Sequence, residues 1–322
     1  MGIEHDHNSW GAVAPGGEGD GALFESVGLD EVLSGELPCW VCGYDLSGLS
    51  VTGVCPECGT PVRTTLLAVV DPAAATFQPM RLPRVAAMGL VAWTLSALLA
   101  ALTVWVIRGA DLLDMWIGLP IRVDLLGVLV PVFAGVCGLS SLVLIRPQRG
   151  ASLGQTLGPL AASVLYVPLV WMLWLLHARF DIMTGTPYFG SSVRQEDRLL
   201  MRITIGSLVV AIAMLSRPSL REFAKRSVLM RTGQLSRQTM VAIAAAQGVA
   251  ISGDLVRYGS IAFEAHENVI VSTFALLLIV VGSIMVTIGF LGILWDSLRL
   301  FPIIRGGPRA LGDVVGREAG RE

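Results

Sequence analysis

Charged residues are scarce in this chain, and their scarcity excludes most soluble folds. Asp, Glu, Lys and Arg make up only 15% of its 322 residues, against about 25% in soluble domains. Lys and Arg are missing altogether from the first 62 residues, and Lys225 is the only lysine. Since 53% of the residues are hydrophobic, the composition predicts a membrane protein with a polar N-terminal segment.

Sequence signatures of catalysis are also absent. The chain has no phosphate-binding glycine loop, no nucleophile elbow and no HExxH motif, which favours a protein without enzymatic activity over an enzyme. It has no long basic tract either, and the acidic N-terminal segment would repel phosphates, so we do not expect nucleic-acid binding.

Composition divides the chain into five parts. Residues 1–38 are rich in glycine and acidic residues and predict a disordered tail. Residues 39–63 hold four cysteines, and residues 64–84 form a proline-containing linker. Residues 85–295 predict a transmembrane helical domain, and residues 296–322 a cytoplasmic tail.

Long apolar runs predict an all-α bundle of about six membrane spans. The first run has 23 residues without a charge, which at about 1.5 Å per residue crosses a ~30 Å hydrocarbon core. The fifth run contains Gln247 and Asp254, so it can span, dip in and return, or lie on the surface. The predicted spans are residues 85–107, 125–145, 157–177, 199–215, 239–256 and 269–295.

Arginine placement predicts the orientation of this bundle. With six spans, 16 basic residues fall on the side of both chain ends and six on the other side. Cytoplasmic loops carry the excess of basic residues, so both ends are predicted to be cytoplasmic, with the lipid bilayer as the surrounding partner.

Polar residues within the apolar runs are candidates for function. Ionisable groups inside a bilayer are costly and often functional, which singles out Arg202 and Asp254. Asp254 and Arg257 are three residues apart and predict an ion pair on one helix face. Arg202 has a structural alternative, since it lies near one end of its span and can reach the interface.

The loop after the fourth span predicts an amphipathic helix at the cytoplasmic interface. Ser219 and Glu222 have the spacing of a capping box at a helix start. The basic side chains that would meet lipid head groups are Arg221, Lys225 and Arg226. Within the last span, three glycines predict close helix packing: Gly282, Gly289 and Gly292.

Four cysteines form the strongest motif. They occur as two CxxC pairs, each followed by glycine, with twelve residues between the pairs: Cys39, Cys42, Gly43, Cys55, Cys58 and Gly59. Two tight pairs of thiolates that can face each other are the ligands of a tetrahedral metal site. Glycine after each pair permits the positive φ of the tight turn.

The residues CGYDLSGL and CPECG within this motif resemble the N-terminal rubredoxin-like zinc ribbon of bacterial multi-pass membrane proteins. The resemblance implies a small β zinc ribbon with structural zinc on a protein of the bacterial inner membrane. Rubredoxins bind iron and carry a longer insert with several aromatics, whereas Tyr44 is the only aromatic in this gap. Zinc is therefore favoured, with iron as the minor alternative.

Three functional hypotheses follow. The first is a membrane-embedded interaction or scaffold protein whose zinc ribbon contacts a protein partner, because a closed four-thiolate site leaves no position for a substrate. The second is a small-solute or ion transporter. The third is a membrane redox protein with iron bound by the cysteines.

Overall fold

The computed structural model describes residues 32–69, 80, 82–118, 124–145, 153–184, 195–226, 239–263, 268–306 and 314. The chain divides into two compact units. The cysteine unit comprises Met1–Thr76 together with Pro308–Glu322, and the helical unit comprises Phe77–Gly307. Residues 1–31 of the predicted acidic tail lie outside the described residues, whereas residues 32–38 are described. More than half of the predicted linker and of the predicted C-terminal tail also lies outside them.

The cysteine unit is built from turns and a short helix. Between residues 32 and 69, antiparallel bridges join Val32 to Ser50, Pro38 to Asp45 and Val54 to Pro61. These bridges are isolated and form no continuous strand within the described residues, so the β character of the predicted ribbon stays a prediction. The helix α1 follows the second cysteine pair at Val62–Val69.

The helical unit is formed by long apolar helices. Six helices of the described residues have the length and composition needed to cross a membrane, and each overlaps one of the six predicted runs over nearly its whole length. The fifth run, which the sequence left open, forms one of them. The elements are α2 Pro83–Ile117, α3 Asp124–Ser141, α4 Leu153–Leu173, α5 Asp181–Thr184, α6 Gln195–Ala224, α7 Thr239–Ala262 and α8 Val269–Gly306.

Two stretches interrupt regular α-helical geometry. A 3₁₀ turn at Leu142–Leu144 follows α3, and a π-helical stretch at Trp174–Phe180 joins α4 to α5. The π-helical stretch lies where α3 approaches, at His177. A Cβ on Gly127 of α3 would lie 2.6 Å from the carbonyl oxygen of His177, so glycine is required for this approach.

The predicted helix start at Ser219 is wrong. The helix α6 continues without a break through Pro218 to Ala224, and Ser219 is buried within it. Proline removes one backbone donor, but helices of membrane proteins tolerate this loss because neighbouring groups satisfy the freed carbonyl. The residues that follow, from 227 to 238, lie outside the described part of the chain.

The six long helices form a closed ring. Each of them packs against the next in the chain, and α8 returns to pack against α2. The indole Nε1 of Trp105 donates a hydrogen bond to Thr287 Oγ1 at 2.9 Å, which links α2 to α8. The main apolar core gathers near the start of α2 and the end of α8, with Leu90, Phe223 and Ile304 almost fully buried.

Small residues allow a close contact between α7 and α8. A Cβ on Gly282 would lie 2.5 Å from the backbone nitrogen of Ala250, and one on Gly253 would lie 2.7 Å from the carbonyl oxygen of Ala275. Backbone atoms cannot move aside as flexible side chains can. Gly292 differs, since its nearest contact would be Thr239 Cγ2 at 3.9 Å.

This difference predicts opposite effects for two glycine substitutions in α8. Gly282→Ala should separate α7 from α8 and cost about 1–3 kcal/mol, the usual effect of overpacking. The matched control Gly292→Ala should be neutral or stabilising by up to about 1 kcal/mol, because alanine favours the helix. Thermal unfolding of both variants in detergent measures the effect, and equal unfolding temperatures would contradict the proposed contact.

Candidate functional site

The two cysteine pairs fold into matching turns. The N–H of Gly43 donates to the carbonyl oxygen of Cys39 at 2.9 Å, and the N–H of Gly59 donates to that of Cys55 at 2.9 Å. Both glycines have positive φ, 79° and 71°. The left-handed conformation costs glycine little, so the glycine after each pair lets the chain turn and bring two sulfur atoms to one side.

The four sulfur atoms converge on one point. All of them lie within 4.8 Å of one another. The sulfurs of Cys39 and Cys58 are 3.6 Å apart, and those of Cys42 and Cys55 are 3.5 Å apart. A zinc tetrahedron with bonds of about 2.3 Å has edges of about 3.8 Å. The residues therefore fit a tetrahedral metal ion, and the geometry suits zinc and iron alike.

Backbone and hydroxyl donors favour thiolate at two of these positions. Backbone N–H groups, that of Cys42 foremost, lower the pKa of Cys39 to about 6. The hydroxyl and the N–H of Thr60 lower the pKa of Cys58. The N–H of Tyr44 acts in the same direction on Cys42, but burial and the neighbouring thiols raise the pKa of Cys42 to about 12. Four thiols this close need a bound cation to ionise together.

Two of the four cysteines are part of a small apolar core that also includes Val314. Cys39 and Cys55 are buried, whereas Cys42 and Cys58 are exposed. Val314 is 1% exposed and belongs to this core. The backbone N–H groups of Ser34 and Gly35 donate to its carbonyl oxygen at 3.0 and 3.2 Å. The remaining members are Leu33, Leu37, Leu46, Val51, Val62 and Leu66, with Leu49 packed against them.

A second group of polar residues lies inside the helical unit, around the carboxylate of Asp181. Arg108 of α2 donates to Asp181 Oδ2, and Arg198 of α6 donates to Oδ1 at 2.9 Å. His177 Nδ1 lies 3.3 Å from Oδ2. Arg108 also donates to Asp111 at 2.9 Å. One carboxylate at the start of α5 therefore joins α2 to α6.

A second ion pair lies one helical turn farther along α6. Arg202 Nε is 3.2 Å from both carboxylate oxygens of Asp254 and donates a hydrogen bond to Oδ2. Asp254 is 4% exposed and lies about 12 Å from the end of α7. We name the set Arg108, Asp111, His177, Asp181, Arg198, Arg202 and Asp254 the charge cluster.

The charge cluster borders a cavity lined by residues of the ring of helices. The cavity has a volume of about 520 Å³, within the range of small-molecule sites. Most of its lining is aliphatic or aromatic, and Trp93, Trp105 and Phe290 contribute aromatic rings. Of the charge cluster, all members except Asp181 line it. The arrangement can hold an apolar molecule beside a polar wall.

The structure arranges the predicted site residues in ways that sequence spacing did not indicate. The sequence singled out Arg202 and Asp254 as candidates, with the membrane interface as an alternative place for Arg202, and predicted a pair of Asp254 with Arg257. Arg202 and Asp254 form an ion pair across two helices, and Arg257, one turn from Asp254 on α7, is partly buried. Farther along α6 and just after it, Arg221 and Lys225 are exposed and Arg226 is buried, with Lys225 2.6 Å from Glu222.

Sequence reasoning did not identify Arg108, Asp181 and Arg198 as site residues. A signal was available, because Asp181 follows His177 by four residues and Arg198 precedes Arg202 by four. Four residues separate neighbours on a helix face. His177, which also contacts Asp181, is 7% exposed. Cys137 is a buried core residue beside Tyr166.

Comparison with known proteins assigns no family. No protein-family model, no curated protein and no solved structure matches the chain. The described residues establish a multi-pass arrangement of apolar helices and a four-cysteine group that can hold a metal ion.

The burial of Val314 predicts that the C-terminal segment stabilises the metal site. Val314→Asp should place a carboxylate in the apolar core and forfeit the burial of a valine, worth about 1.5–3 kcal/mol. The rate at which a chelator removes the metal from the purified full chain should rise at least about tenfold, the equivalent of 1.4 kcal/mol. Val32→Asp is the matched control, since Val32 is 52% exposed, and equal rates in both variants would contradict the coupling.

The ion pair of Arg202 and Asp254 predicts strong non-additivity. Asp254→Ala should leave a buried guanidinium without its carboxylate and cost about 3–5 kcal/mol. The double variant Arg202→Leu, Asp254→Leu should cost less than the single variant, because it removes both charges together. Unfolding in mixed micelles provides the measurement, and additive effects would be inconsistent with direct pairing.

Proposed function

We propose that the protein is an integral membrane interaction protein that presents a structural zinc ribbon to a protein partner. The observation that carries the proposal is the closed four-thiolate group, whose sulfur atoms all lie within 4.8 Å of one another. Four protein ligands fill a tetrahedral coordination sphere and leave no position for a substrate. Zinc in such a site acts by fixing the surrounding turns in one conformation.

Exposed apolar side chains on the first cysteine turn support a contact surface. Trp40 is 68% exposed and Val41 is 64% exposed, and both lie between two metal ligands. Tyr44, just after this turn, is 41% exposed. Aromatic side chains are enriched at protein interfaces and often supply most of the binding free energy. The metal holds these side chains in place, and Trp40 is the strongest candidate for the central contact.

The contact of Val314 with Ser34 and Gly35 supports a topology with both ends on one side of the membrane. Six crossings return the chain to the side on which it began, and five would not. The predicted excess of arginines then favours the cytoplasm for both ends, at the inner membrane of a bacterial cell. A reducing cytoplasm keeps the thiols available for metal.

The interaction role predicts that binding depends on both the metal site and Trp40. In affinity capture with the full chain, the double variant Cys39→Ser, Cys55→Ser should lose its specific partners. Trp40→Ala should weaken the same partners by about 2 kcal/mol or more, as at other interface hot spots, while it keeps the metal. Quantitative mass spectrometry of the captured proteins, with elemental analysis of the bait, measures both effects.

Cys137→Ser is the control for this experiment, because Cys137 lies in the helical unit and outside the metal group. It should retain every partner. If the double cysteine variant also retains every partner, the zinc ribbon is not the contact surface.

The transporter hypothesis is a second candidate, favoured by the buried ion pair of Arg202 and Asp254 beside the cavity. Ionisable groups at this depth often lie on ion or proton pathways. Proteoliposomes with an entrapped pH dye test the simplest version, which is proton flux. Flux that is unchanged in the double variant Arg202→Leu, Asp254→Leu would exclude a pathway through this pair.

Elemental analysis of the purified protein separates zinc from iron. We expect a colourless protein with one zinc per chain, since zinc accepts a tetrahedral four-thiolate site without an electronic preference. A red, iron-loaded protein would replace the structural proposal with the redox alternative.

A further inference from the structure

The cavity inside the ring of helices is long and changes character along its length. Trp93 and Arg108, which both line it, are 15 residues apart on α2, so they are separated by about 22 Å along the helix. Between them the lining of α2 consists mainly of small and aliphatic side chains such as Ala97, Ala101 and Val104. A space of this length and chemistry suits an extended hydrocarbon chain better than a compact polar solute.

The polar end of the cavity carries charges of both signs in close pairs. Arg202 is paired with Asp254, and Arg198 with Asp181. A negatively charged head group placed beside Asp254 would meet a carboxylate. A positively charged one would meet the guanidinium groups of Arg202 and Arg198. In a medium of low dielectric constant, either encounter is unfavourable, so the paired charges select against an ionised head group.

One buried oxygen at this end, Asp254 Oδ1, accepts no well-aligned hydrogen bond from the residues that the structure describes, although Arg202 Nε lies 3.2 Å from it. Beside it, His177 Nδ1 lies 3.3 Å from Asp181 Oδ2, and the side chains of Asp254 and His177 both line the cavity. Asp254 is 4% exposed and His177 is 7% exposed. A carboxylate oxygen only accepts hydrogen bonds, and a buried acceptor without a donor is costly. A hydroxyl group can donate to Asp254 Oδ1 and accept from a neighbouring guanidinium.

We propose that the cavity is a binding site for a neutral amphiphile with a long alkyl chain and a hydroxyl head group. The chain lies along the apolar walls formed by the ring of helices, and the hydroxyl donates a hydrogen bond to Asp254. This site is separate from the proposed role of the cysteine unit, and its occupancy requires neither flux nor a bound metal. Its recognition of the head group depends on the ion pair of Arg202 and Asp254.

Three amphiphiles with the same alkyl chain test this proposal. The full chain in nanodiscs of neutral phospholipid is loaded with tritiated hexadecanol, which is then displaced by unlabelled hexadecanol, hexadecyl phosphate or hexadecylamine at pH 7. Hexadecanol should bind saturably and compete at concentrations at least about tenfold lower than either charged analogue, which corresponds to one mismatched polar contact. Absence of saturable binding, or equal competition by a charged analogue, would overturn the proposal.

Variants distinguish the site from general partition into lipid. Ala101→Phe should fill the cavity and abolish saturable binding, because Ala101 lines it. Ala161→Phe is the matched control, since Ala161 is exposed on α4 and does not line the cavity, and it should bind as the unmodified chain does. Loss of binding in both variants, or in neither, would contradict the location.

Asp254→Asn tests the head-group contact itself. It removes the negative charge beside Arg202 while it preserves side-chain size, so it should shift the preference from hexadecanol towards hexadecyl phosphate. A merely structural role for Asp254 would lower the binding of all three amphiphiles equally. Unchanged selectivity in a variant that binds would exclude Asp254 as the partner of the hydroxyl.

Discussion

Hydrocarbon cannot solvate a charge, and this constraint governs the arrangement of the helical unit. Each charged side chain that enters the apolar helices must find an opposite charge or a hydrogen-bond partner within the protein. Asp181 meets this requirement for Arg108 and Arg198, and Asp254 meets it for Arg202. Because the partners belong to different helices, each pair fixes how two helices are aligned along their length. The ion pairs thus determine the relative positions of the helices along their axes, which apolar packing alone would not determine.

The same absence of water explains the close approach of α7 and α8. Lipid tails are as apolar as leucine, so the hydrophobic effect gives helices little reason to associate within the bilayer. Van der Waals contact between helices replaces the hydrophobic effect, and this contact is strongest where two backbones touch. Gly282 and Gly253 provide such contacts. A ring of six helices can therefore close while a cavity remains at its centre, since the contacts that stabilise it lie between neighbouring helices.

The cysteine unit is stabilised by different physics. Its described core consists of nine buried residues, including Cys39, Cys55 and Val314, which is distant from the others in sequence. A core of this size rarely stabilises a fold without a metal or a covalent crosslink. A metal ion held by the four cysteines would supply what the apolar residues lack, and Val314 adds a contact between distant parts of the chain.

Local patterns in the sequence were sufficient to predict the metal group and the membrane helices. Spacing within a CxxC pair acts over a few residues, and hydrophobicity acts over the length of one helix, so both can be recognised without knowledge of the fold. Local patterns could not predict that α6 continues through Pro218, because a helix accepts an internal proline only in surroundings that the packed bundle provides. The partner of Asp254, the burial of His177 and the position of Val314 could not be predicted from local patterns either. The sequence by itself determined which segments are apolar and which cysteines can share a metal. The tertiary structure decided which charges neutralise one another and where a cavity remains, because these depend on distances between residues far apart in the chain.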